Sequence, residues 1–211
     1  MRAIIITGGT ISDYNYYKNF FNDDDVIICA DGGVKHLINL DLTASYFLGD
    51  FDSCDFDKIK CDIHLKDAQI LRYNCEKNET DTEIALDLAI EKNFKKIVVL
   101  GGIGTRIDHT FANIMLMKKA LKNNVDLLML NEKNEIRLID KSISLDPVKN
   151  SYLSVIALEK TTNLSLQNVK YTLDNFTLSS DTSLGISNEF TDEKAVIYFD
   201  KGLLLVIISR D

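Results

Sequence analysis

In the first part of the chain, four short apolar runs each end on a turn rich in glycine or aspartate. This repeated junction limits the fold more than any other feature. Ala3–Thr7 (AIIIT) runs into Thr7-Gly8-Gly9-Thr10, and Val26–Ala30 (VIICA) into Asp31-Gly32-Gly33. Ser45–Leu48 (SYFL) runs into Gly49-Asp50-Phe51-Asp52-Ser53, and Ile97–Leu100 (IVVL) into Gly101-Gly102-Ile103-Gly104-Thr105-Arg106-Ile107-Asp108-His109. A fifth run, Leu127–Leu130 (LLML), follows. Such nearly continuous apolar runs suit strands buried on both faces of a parallel sheet. Between them, Tyr14–Phe21, Val34–Leu40, Asp81–Lys92 and Asp108–Leu121 read as helices; Ile84, Ala85, Leu88 and Ala89 share one helical face. Alternating strands and helices imply right-handed βαβ units in an open, mostly parallel sheet. The strand C-termini of such a sheet share one edge, where ligands bind, so turns about 100 residues apart can converge.

The texture changes near residue 140. Tyr152–Leu158, Leu164–Tyr171, Ala195–Phe199 and Leu203–Ser209 read as strands, with Gly185 and Gly202 in turns and Pro147 near the switch. The reading is an α/β domain over 1–140 and a small all-β sandwich over 141–211. So small a β unit is expected to pack on a neighbour.

The balance of 32 acids against 24 Lys and Arg, a net charge of −8, argues against nucleic-acid binding. No apolar run reaches the ~20 residues of a membrane span, and the initial one is too short for a signal peptide. Cys29, Cys54, Cys61 and Cys75 form no C-x-x-C pair, so a reducing cytoplasm is expected rather than a zinc site or disulfide framework.

Each turn has a plain structural reading beside a chemical one. Gly101, Gly102 and Gly104 allow backbone N–H groups to approach phosphate oxygens ahead of a helix, and Arg106 adds a fork of donors. The same residues could be a simple strand-to-helix turn with Asp108 as N-cap. Walker A and dinucleotide fingerprints are both missing: no Lys-Ser/Thr follows, and Ile107 occupies the third glycine position. Asp50 and Asp52 suit Mg²⁺, or a solvated turn. Thr80 and Glu83 match a capping box, which does not account for Asp81 in the first helical turn, where its charge suits the helix dipole or could equally face a ligand. Together the turns describe a nucleotide phosphotransferase cleft.

The ordered set Ala30-Asp31-Gly32-Gly33, Leu48-Gly49-Asp50-Phe51-Asp52-Ser53, Thr80-Asp81 before Ala85-Leu86, and Gly101-Gly102-x-Gly104-x-Arg106-x-Asp108-His109 resembles the thiamine pyrophosphokinase family. Tyr171-x-Leu173 and Gly185-x-Ser187-Asn188-Glu189 extend the resemblance, which runs from Gly8 to Asn188. It implies a homodimer of α/β plus β-sandwich chains that moves pyrophosphate from ATP to the hydroxyl of thiamine, giving thiamine diphosphate and AMP. By resemblance, Asp31, Asp50, Asp52 and Asp81 are the catalytic acids, and Asp31, Asp50 and Asp52 hold Mg²⁺. Gly8, Gly9, Asp31, Gly32, Gly101, Gly102, Gly104, Arg106 and Asp108 lie at the nucleotide. Asp81, Tyr171, Ser187 and Asn188 lie at thiamine. Thr105 replaces the glycine common before the Arg, Thr172 follows the aromatic, and Asn168 stands where glycine is common. Two rivals stay open: transfer to another small alcohol such as a hydroxymethyl pterin, and a nucleotide or thiamine sensor without catalysis.

Overall fold

The computed structural model describes residues 1–49, 62–73 and 78–211. It divides into two compact units, Met1–Glu132 and Lys133–Asp211. The division thus falls before the strand Asn134–Ile139, which the sequence reading kept in the first domain. That strand pairs antiparallel with the last strand of the chain, and this pairing places it in the second unit.

The first unit is a parallel sheet. Its strands are β1 (Ala3–Ile6), β2 (Val26–Ala30), β3 (Tyr46–Gly49), β4 (Gln69–Arg72), β5 (Lys96–Leu100) and β6 (Asp126–Leu130). Their order is β4-β3-β2-β1-β5-β6, with every pairing parallel. The chain steps outward from β1 to β4, then returns to the other side of β1 at β5. The C-terminal ends of β1 and β5 therefore flank the switch point of the sheet. Ile4, Ile5 and Ile6 are fully buried, as expected for a strand covered on both faces. Each such burial stabilises by about 1.5–3 kcal/mol. Ile4, Ile6, Cys29, Leu37, Phe47 and Leu100 belong to one core cluster.

Helices α1 (Val34–Asn39), α2 (Asp81–Glu91) and α3 (Ile107–Lys122) connect the strands. The Lys119 ammonium on α3 joins Glu83 (2.6 Å) and Asp87 (2.9 Å) on α2, tying these two helices together. The predicted helix at Tyr14–Phe21 is only a 3-10 turn over Tyr14–Tyr17. Its aromatic residues stack edge to face, Tyr16 on Tyr17, Tyr17 on Phe20 and Phe20 on Phe21, instead of lining one helical face.

The second unit is all β: β7 (Asn134–Ile139), β8 (Ile143–Leu145), β9 (Tyr152–Gln167), β10 (Leu173–Leu178), β11 (Asn188–Glu189), β12 (Ala195–Tyr198) and β13 (Lys201–Ser209). The two strands read at 152–158 and 164–171 are one 16-residue strand, β9. Its first part pairs with β13 and β11, and its last part with β12 and β10. Two sheets thus share one strand, and Leu153, Val155, Leu164, Leu166, Ile197 and Leu204 fill a common core. Gly202 is not in a turn: it lies within β13 at a register shift, with φ of 145°.

Candidate active site

A cleft of about 560 Å³ opens at the switch point of the first unit. It is lined by residues of the turns after β1, β2 and β5 and of the start of α2. Of the residues predicted at a nucleotide, the structure brings Gly8, Gly9, Gly32, Gly101, Gly102, Gly104 and Arg106 to this cleft, together with Asp81.

The glycines divide into two roles. A Cβ on Gly9 would lie 1.9 Å from the Gly101 carbonyl oxygen, and one on Gly101 would lie 2.3 Å from the Thr7 carbonyl oxygen. Gly101 also has φ of 71°, in the left-handed region. These two let the β1 and β5 turns touch backbone to backbone. Gly104 is less crowded, since its added Cβ would meet Gly9 Cα at 3.5 Å. The loop is braced from behind. Thr7 Oγ donates to the Gly101 carbonyl (2.8 Å), Asn113 Nδ2 to the Gly102 carbonyl (2.8 Å), and Gly104 N–H to Thr110 Oγ (3.1 Å). Thr105 takes no positive φ, so the loop accommodates its branched side chain.

Asp108 is not the N-cap of α3. The cap residue is Arg106, and Asp108 sits in the first turn. There it accepts from both Arg106 Nη2 (2.6 Å) and Nε (3.3 Å). This hydrogen-bonded pair lowers the Asp108 pKa and raises that of Arg106. Both side chains are mostly exposed, at 64% and 70%, so the pair is solvent-screened. The fork of Arg106 is thus engaged by a carboxylate beside the cleft. Thr80 caps α2 as expected, its hydroxyl accepting from Glu83 N–H (3.2 Å). The capping box is only half formed, because the Glu83 carboxylate goes to Lys119.

Asp31 lies between the lining residues Ala30 and Gly32, half-buried, with φ of 22°. Positive φ is uncommon outside glycine and costs backbone energy. Gly49, at the end of β3, packs directly on it: an added Cβ would lie 2.8 Å from Asp31 Cβ. Asp50 and Asp52 themselves lie outside the described residues. Among the described residues, no cluster of three or more His, Cys, Asp or Glu could hold a metal.

Sequence reasoning missed Lys35 and His36. Lys35 lines the cleft and its ammonium donates to the Gly8 carbonyl (2.9 Å). His36 is buried, with Nε2 2.7 Å from the Gly9 carbonyl and Nδ1 2.8 Å from the Tyr14 hydroxyl. A carbonyl only accepts, so Nε2 carries the proton and Tyr14 donates to Nδ1. Burial lowers the His36 pKa and favours this neutral form. A lone histidine gives no signal in sequence when its partners are 22 and 27 residues away.

The remaining predicted residues lie in the second unit. A pocket there is lined by Tyr171, Thr172, Leu173, Leu184, Ile186 and Asn188, among others. Tyr171 is 59% exposed, whereas Asn188 is buried. The Asn188 amide grips the Tyr171 backbone: Oδ1 accepts from its N–H (2.9 Å) and Nδ2 donates to its carbonyl (2.7 Å). Asn188 is therefore committed to shaping the pocket rim. Ser187 is not among the lining residues; it has φ of 56° and its N–H donates to Ser154 Oγ (3.0 Å). Asn168 adopts φ of 56°, the left-handed geometry expected where glycine is common.

The first unit has the build of an open α/β domain with a glycine-lined cleft at its switch point. Residues 17–129 match the family model for the thiamin pyrophosphokinase catalytic domain, and residues 138–204 match that for its vitamin B1 binding domain. A thiamine pyrophosphokinase of Bacillus subtilis (strain 168) is 30% identical over 98% of both chains. The crystal structure of thiamine pyrophosphokinase from Bacillus subtilis superposes with a TM-score of 0.89 at 28% identity, covering 100% of both chains. That of the thiamin pyrophosphokinase from Geobacillus thermodenitrificans gives 0.87 at 27% identity, covering 100% of this chain and 98% of that one. The chain belongs to the thiamin pyrophosphokinase family.

Proposed function

We propose that this chain transfers the pyrophosphoryl group of ATP to the hydroxyl of thiamine, releasing AMP, with the triphosphate held in the switch-point cleft. The observation that carries this reading is the convergence of Gly8, Gly9, Gly104, Asp81 and Arg106 on one cleft in a member of this family. In-line attack of the thiamine hydroxyl on the β-phosphorus requires positioning and charge stabilisation more than covalent help. The Gly101–Gly104 loop, rigid through Thr7, Asn113 and Thr110, supplies fixed backbone dipoles. Arg106 supplies a cation by exchanging Asp108 for phosphate oxygens. Asp81, in the first turn of α2, accepts the proton of the hydroxyl.

Asp31, Asp50 and Asp52 would hold Mg²⁺. Their hard oxygen donors suit that ion. When bound, Mg²⁺ supplies neutralisation of triphosphate charge. Without it, a chain of net charge −8 should repel ATP. The pocket of Tyr171 and Asn188 is the thiamine side, the chain works as a homodimer, and it acts in the cytoplasm.

Incubation with ATP, thiamine and Mg²⁺ should yield equimolar AMP and thiamine diphosphate by chromatography. Asp50→Asn should lower turnover by orders of magnitude with an unchanged circular dichroism spectrum. Near-normal AMP release by that variant would overturn the metal assignment. Binding of both ligands without product would instead favour a sensor.

A further inference from the structure

The two side chains that α1 sends to the β1 turn do different jobs. Lys35 and His36 are consecutive, and they take consecutive carbonyls, Gly8 and Gly9. His36 is buried and bonded at both ring nitrogens, a fixed mount. Lys35 is exposed, and its bond to the Gly8 carbonyl (2.9 Å) reaches a neutral acceptor by way of a flexible stem.

The charges around the cleft make this difference matter. Among the described residues, the lining residues with formal charge are Lys35 and Arg106, Glu79 and Asp81. Arg106 already commits its Nε and Nη2 donors to the Asp108 carboxylate, which offsets its charge. Among the described residues, Lys35 enters no ion pair, so it need only exchange a carbonyl for a charged oxygen. The ammonium donates in both arrangements, but a phosphate oxygen adds the attraction of an opposite charge that the Gly8 carbonyl lacks, so that exchange favours phosphate.

We propose that Lys35 is a phosphate-binding residue of this cleft: its ammonium moves from the Gly8 carbonyl to the polyphosphate of the incoming nucleotide, while His36 holds the turn in place. The inference rests on the pyrophosphokinase reading for the identity of the ligand, and otherwise on the cleft alone. It separates two functions at one turn. Loss of Lys35 removes a charge but leaves the turn tied through Gly9. A conservative replacement keeps the charge.

The test uses the full chain with Lys35→Met and Lys35→Arg. Calorimetry with ATP, inorganic pyrophosphate and AMP, each with Mg²⁺, reads the binding. Lys35→Met should weaken ATP and pyrophosphate about tenfold, the value of one charge-assisted bond. AMP should weaken much less, thiamine KM should stay unchanged, and Lys35→Arg should recover most of the ATP affinity. Thermal melts should show the fold intact. Equal ATP affinity in wild type and Lys35→Met would overturn the proposal. So would an equal loss for ATP, pyrophosphate and AMP, which would mark a general distortion of the turn. The wild-type product assay is separate: no thiamine diphosphate alongside a selective ATP loss in Lys35→Met would sink the pyrophosphokinase reading and leave Lys35 as a phosphate ligand.

Discussion

Gly9 and Gly101 meet backbone to backbone at the switch point, with space for no atom beyond hydrogen on the Cα of Gly9. Gly9→Ala puts a methyl group 1.9 Å from the Gly101 oxygen, so the two turns must separate. Overpacking of this kind costs about 1–3 kcal/mol. Urea denaturation should show that loss, and ATP affinity should fall with it. Gly104→Ala, whose new atom meets nothing closer than 3.5 Å, should keep wild-type stability.

His36 should make stability depend on pH. Burial lowers its pKa below the ordinary 6.5, so the unfolded chain binds a proton more readily than the folded one. The stabilisation from this site is therefore full above about pH 6.5 and is lost as the pH falls toward the lowered folded value. Thermal melts between pH 7.5 and pH 5 should show a falling midpoint in the wild type. His36→Gln keeps a donor for the Gly9 carbonyl and does not titrate, so its melts should show a shallower fall over that window. An equal slope in both proteins would exclude His36 as the source.

Asn188 should act on the rim of the second pocket through Tyr171. Asn188→Ala leaves the N–H and carbonyl of Tyr171 without their side-chain partners, at a cost of about 1–3 kcal/mol. Steady-state kinetics should show the KM for thiamine raised several-fold and the KM for ATP nearly unchanged. An effect of the same size on both substrates would contradict the assignment of this pocket to thiamine.

Arg106 and Asp108 should give opposite results. Arg106→Gln removes a cation from the cleft and should raise the KM for ATP about tenfold. Asp108→Asn frees the fork that it now engages, so the KM for ATP should stay level or fall. A rise in both variants would mean that Asp108 itself serves the nucleotide.

The parallel sheet was legible in the sequence because β1, β2, β3, β5 and β6 carry almost nothing but apolar residues, as burial on two faces requires. The convergence of their turns followed from topology. β9 was misread as two strands because polar Glu159, Lys160 and Asn163 interrupt it, and Asn163 has φ of 55°. Pairing with β13, β12 and β10 keeps it continuous. Residue choice at the site was visible, but its division of labour was not. Gly9 and Gly101 look like phosphate glycines and are also contact glycines, while Asn188 looks like a ligand residue and is also a brace. Such distinctions depend on what lies across a gap in space, and local pattern carries no record of that.

The sharing of β9 between two sheets has a consequence for how residues 133–211 come apart. Ala157 pairs with Leu204 in one sheet, and Leu166 pairs with Ile197 in the other, on a single uninterrupted strand. Neither sheet can lose β9 without the other losing its template, and both halves of the strand feed the same core. Partial melting of one face is thereby disfavoured. Hydrogen exchange at Ala157 and Leu166 should report one shared opening free energy, the mark of a single cooperative foldon.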